Sequence, residues 1–125
     1  MTRNGTRDPE AFIKSEGVRA AHHLLLAELP KLGLTPSHNS GHVQAVRLHD
    51  VADRYLFSWI PNQHHLLFYV RKPALNAAAN LRGSAVHRLP RTSENNAGEV
   101  TSRLETSQDA QAVLEWLQDI LPLPD

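Results

Sequence analysis

The chain has 125 residues, with 13 basic and 13 acidic side chains, eight histidines and no cysteine. That length suits one ordinary domain with a core of its own. The balanced charge excludes a strongly basic coat for nucleic acid or an acidic solvating tail, and the missing cysteine excludes disulfides, thiolate metal sites and a cysteine nucleophile.

Residues 1–7 read as a flexible tail, 8–121 as one α+β domain, and 122–125, which carry two prolines, as a second tail. The first residues lack the apolar stretch of a signal peptide, and no apolar run approaches the ~18 residues of a membrane span. The expectation is therefore a cytoplasmic protein with no membrane partner. Asp8-Pro9-Glu10 reads as a helix start, with Ile13, Ala20, Ala21, Leu24 and Leu25 at helical spacing. Pro30 and Gly33 close that helix near Leu29. Residues 35–41 read as a turn-rich loop.

Strands are predicted over residues 42–48, 55–60 and 65–71, the last two joined by a turn at Pro61-Asn62-Gln63-His64. A short alanine-rich helix follows over 74–81, with Gly83 as its stop and 84–98 irregular. Residues 99–105 alternate as a strand. Thr106 or Ser107 caps the last helix, with Asp109 placed for a capping box. Its stripe is Ala110, Val113, Leu114, Leu117 and Leu121, with Trp116 and Ile120 at the margin. The order α-β-β-β-α-β-α predicts a mainly antiparallel sheet of about four strands with the N- and C-terminal helices packed on it.

Five of the seven aromatic residues lie in the hairpin: Tyr55, Phe57, Trp59, Phe68 and Tyr69. A sheet with one wet face alternates apolar and polar residues. This hairpin is apolar on both faces. Straight alternation sends Tyr55, Phe57 and Trp59 one way and Leu56 and Ile60 the other. One face packs the helices; the second is covered within the chain or by another molecule. The predicted interface residues are Phe57, Trp59, Leu67 and Tyr69, for a homodimer or a protein partner.

Charge is uneven along the chain. Residues 43–104 hold eight basic side chains (Arg47, Arg54, Arg71, Lys72, Arg82, Arg88, Arg91, Arg103) against four acidic ones, and residues 105–125 hold five acidic and none basic. Arginine makes bidentate contacts to phosphate. Arg71, Lys72, Arg82, His87, Arg88 and Arg91 are thus candidate nucleic-acid or anion-binding residues. The competing reading pairs these arginines with the acidic last helix.

The eight histidines admit a metal-dependent enzyme as the alternative, with His42, His49 and Asp50 as conceivable ligands. Their spacing matches no metal motif, and no catalytic signature is present, including a phosphate loop or a nucleophile elbow. No metal ligand and no catalytic residue is singled out, and nothing calls for a cofactor. The sequence points to a small non-enzymatic interaction domain that self-associates, with regulatory binding of nucleic acid or a phosphorylated ligand as its role.

Overall fold

The computed structural model describes residues 9–38 and 44–125. The expected tail over 1–7 and the candidate ligand His42 lie outside the described residues. The first helix is shorter than its periodicity suggests. A 3-10 turn, Pro9–Phe12, precedes α1 (Glu16–Glu28). Ser15 interrupts the run, because its hydroxyl accepts from the Val18 amide and caps α1. A second 3-10 turn, Leu29–Leu32, ends at Gly33, whose φ of 86° suits a residue without a β-carbon.

Six strands form one antiparallel sheet in the order β1-β2-β3-β4-β6-β5. They are β1 (Thr35–His38), β2 (Val46–His49), β3 (Tyr55–Pro61), β4 (Leu66–Val70), β5 (Thr92–Glu94) and β6 (Val100–Leu104). The class is the expected one; the two extra strands are the edges. β1 lies where a loop was expected, and β5 lies in the stretch read as irregular. Both are short and polar, and both are held by backbone pairing to an inner strand. Apolar alternation cannot reveal such strands.

The predicted helix over 74–81 is two helices, α2 (Lys72–Ala77) and α3 (Leu81–Arg88). The extended backbone of Ala78 separates them. Gly83 is no stop; it sits inside α3. The last helix, α4 (Ser107–Ile120), has the full capping box, with Thr106 accepting from the Asp109 amide and Asp109 from the Thr106 amide. Trp116 is not marginal. It is fully buried, and its indole N–H donates to Ser84 Oγ at 2.9 Å, tying α4 to α3.

One core cluster joins all four helices to one face of the sheet. Register sets that face: Val46 and Leu48 on β2, Phe57 and Trp59 on β3, Phe68 and Val70 on β4, and Ser102 and Val100 on β6. The opposite face runs through Arg47, Ser58, Tyr69, Thr101 and Ser93 as one row, and through Ile60, Leu67 and Arg103 as the next. No helix among the described residues lies across it.

A bulge breaks the simple alternation in β3. Leu48 pairs with Phe57 but His49 pairs with Tyr55, so Leu56 is an inserted residue. Leu56 is consequently buried like Phe57, while Tyr55 joins Arg47 on the open face.

Candidate functional site

The predicted basic set is spread out and largely neutralised. Arg88 pairs with Asp119 at 2.8 Å, and Arg91 pairs with Asp109 and with Glu105. Both acceptors of the strongest contacts belong to α4, as the competing reading requires. Arg82 pairs with Glu94 at 3.1 Å and donates to the Gly98 carbonyl at 3.0 Å. His87 is exposed in the last turn of α3. Lys72 is exposed at the start of α2 and folds its stem against Gly98, where φ is 82° and a β-carbon would lie 3.0 Å from Lys72 Cε. The arginines of this segment each hold a carboxylate, so the segment offers little uncompensated positive charge.

The predicted interface residues fall on two faces. Phe57 and Trp59 are fully buried under the helices and cannot meet a partner. Trp59 donates its indole N–H to Nδ1 of buried His22. Leu67 and Tyr69 lie half-buried on the open face. There they line a shallow groove with Phe12, Gln44, Ile60, Pro61 and Asn62. Phe12 arrives from the 3-10 turn at the hairpin end, because the Lys14 amide donates to the Gln63 carbonyl at 2.8 Å.

At the other end of the open face the chain builds a cation–aromatic stack. The Arg71 guanidinium lies 3.7 Å from the centre of the Tyr55 ring, and that of Arg47 lies 5.3 Å from it. Arg71 donates to the Tyr55 carbonyl at 2.6 Å and stands 3.7 Å from Glu99. The His49 ring packs 5.4 Å from Tyr55. Beside them, burial pushes the Tyr69 phenol above its ordinary pKa of 10.0, with the Glu99 charge and Tyr55 adding to it. Tyr69 therefore keeps its proton and its ability to donate. Arg47, Ser58, Ile60 and Phe12 are not among the site residues expected from the sequence. Two of them carry a signal: a lone cation between Val46 and Leu48, and a lone hydroxyl within an aromatic strand.

A cleft of about 270 Å³ lies between the β2–β3 turn and the end of the chain, lined by Leu34, Val51 and Leu121 among others. Asp50 organises it, accepting from the Ala52 and Arg54 amides and from Arg54 Nε. Burial acts to raise the Asp50 pKa, but the hydrogen bonds and charge of Arg54, with the Ala52 amide, outweigh it and hold the carboxyl below its ordinary 3.8. Arg54 also donates to the Leu123 and Pro124 carbonyls at 3.0 and 2.7 Å, and Leu123 is 6% exposed. The segment expected as a C-terminal tail is thus tied to the fold.

His49 is spent on Tyr55 and Asp50 on Arg54. Among the described residues, no three His, Asp or Glu side chains gather as metal ligands. No helix among them is long and apolar enough to cross a membrane. Comparison of the chain with protein families, with curated proteins and with solved structures found no match.

Proposed function

We propose that this protein is a small interaction module that self-associates through the hairpin end of its open sheet face. One observation carries the reading: the helices cover a single face, while Ile60, Leu67 and Tyr69 line a groove on the other. Half-buried apolar strips that no helix of the described residues covers supply contact surfaces. The occupant is a second copy of the chain. The rim carries both signs, Arg103 and Glu105 at 3.5 Å, so two copies meet without net repulsion. Four strands at their usual spacing give each copy roughly 400 Å² there. A total of about 800 Å² is at the low end for a specific contact, so the association is weak and concentration-dependent.

Sedimentation over a concentration series tests it. The wild type should pass from monomer to dimer, and Leu67→Arg or Ile60→Arg should stay monomeric with an unchanged circular dichroism spectrum. A wild type that is monomeric throughout would remove the reading. The regulatory role in binding nucleic acid or a phosphorylated ligand draws support from Arg47 and Arg71 rather than from the paired arginines of residues 82–91.

A further inference from the structure

Arg47 stands on β2 and Arg71 directly follows β4, the two strands that flank β3, and both guanidiniums lie against Tyr55. Their situations differ. Arg71 is fixed by the Tyr55 carbonyl and Glu99, which leaves its Nη2 without a partner among the described residues. Arg47 is half-buried, and among the described residues it touches the Tyr55 ring and makes neither a hydrogen bond nor an ion pair. A guanidinium in that position has lost part of its water and gained no counter-ion.

A hydroxyl stands beside it. Ser58 faces Arg47 on one side and Tyr69 on the other in the strand register. It is 6% exposed, and its hydroxyl forms no hydrogen bond to a described residue while keeping access to solvent. A hydroxyl on the open face with no partner inside the fold can donate to a group from outside. The Arg47 fork, the remaining Nη2 of Arg71, the Ser58 hydroxyl and the protonated Tyr69 are therefore donors on neighbouring positions of the open face.

We infer that Arg47, Ser58 and Arg71 form a receptor for a phosphate group on the open face of the sheet. A carboxylate is saturated by one fork, whereas a phosphate has oxygens for the Arg47 fork, the Arg71 Nη2 and a hydroxyl. The charge fits as well. Arg47 and Arg71 less Glu99 leave one positive charge, which the single negative charge of a phosphodiester balances. The stack also holds both guanidiniums in place before any ligand arrives, so little side-chain freedom is lost on binding. The receptor does not rest on self-association. Arg71 lies four residues along the chain from Leu67, about 13 Å away, and Ser58 lies two residues from Ile60.

The test titrates the full chain with pyrophosphate and, separately, with a short single-stranded oligothymidine, each against chloride at matched ionic strength. The readouts are backbone amide shifts and the apparent Kd. The amides of Arg47, Ser58 and Tyr69 should move. Arg47→Gln and Ser58→Ala should weaken binding, the former by about tenfold or more, as loss of a charge-assisted bond implies. Arg88→Gln should bind as the wild type does. Tighter binding of the oligothymidine would place the phosphate in a strand. Binding of pyrophosphate without the oligothymidine would place it in a free phosphorylated compound. Should Arg47→Gln fail to fold, Arg47→Lys keeps the charge, loses the fork and should still bind more weakly. Leu67→Arg should keep phosphate binding even where it abolishes the dimer. Amides that respond to neither probe beyond the chloride control, or variants that bind like the wild type, would overturn the inference.

Discussion

The indole N–H of Trp59 points at Nδ1 of His22 across the interface between β3 and α1, at 3.1 Å, with the two rings edge to face. Both residues are buried, His22 at 2% exposure. An indole can only donate, so Nδ1 is the accepting nitrogen and carries no proton. One residue read as a member of a histidine pair is thus a fixed part of the core, joining the first helix to the sheet. Trp59→Phe keeps the aromatic packing but deletes the donor. It should destabilise the protein by about 1–3 kcal/mol in urea unfolding, with an unchanged m-value.

Adjacent residues of β4 should respond very differently to the same truncation. Phe68 lies under the helices, stacked 6.0 Å from Phe57, and Leu67 lies on the open face. Phe68→Ala should cost about 3–5 kcal/mol, and Leu67→Ala about 1 kcal/mol or less. Unfolding curves for the two variants check the face assignment. Equal costs would contradict it.

Stability should rise with pH in two windows. Burial lowers the pKa of His65 below the ordinary 6.5; the Arg103 charge adds to this, Glu105 opposes it, and His64 adds to it. The unfolded chain then binds this proton more readily than the folded one. The contribution of His65 is present above 6.5 and is lost as pH falls through that value toward the folded one. His65→Gln should flatten this part of the profile. The Asp50 carboxyl has the opposite charge type but the same sign of slope. Its lowered pKa stabilises the fold above 3.8, and that contribution is lost as pH falls through the folded value. Melting temperature against pH for the wild type and Asp50→Asn should show the acid limb only in the former.

Asp109 should matter more than the arginine it holds. Its carboxylate accepts from the Glu105 and Thr106 amides at 2.7 and 3.2 Å and also meets Arg91. Asp109→Ala removes a helix cap and should cost about 1–2 kcal/mol. Arg91→Ala removes one partly exposed ion pair and should cost less than about 1 kcal/mol. Chemical denaturation of the two variants measures the order.

The legible parts of this fold are those with apolar periodicity. The central hairpin, β6 and α4 follow from alternation, a capping box and a stripe. The edge strands do not, because β1 and β5 gain their order from backbone bonds to a neighbour, which leave no apolar trace. The split of α2 from α3 was hidden for a similar reason. Gly83 is a plausible stop by composition, yet Leu81 and Ala85 have a core surface to pack on. At the site, the sequence picked out Arg71, Leu67 and Tyr69 but grouped them with the wrong companions. Nearness along the chain favoured Arg88 and Arg91, whose partners on α4 are known only once the chain has folded. Arg47 and Ser58 are eleven residues apart in sequence and opposite each other in register.

The bulge at Leu56 works like a shift of reading frame. A strand is read two residues at a time, and one extra residue changes which side every earlier residue faces. Without it, Tyr55 would turn inward beside Phe57 and Trp116, and the guanidiniums of Arg47 and Arg71 would have no ring to rest on. The chemistry of the outer face is therefore set by a count, not by a particular side chain at position 56. Deleting Leu56 would restore plain alternation and leave Tyr55 outward, whereas pairing Leu56 regularly would turn Tyr55 inward.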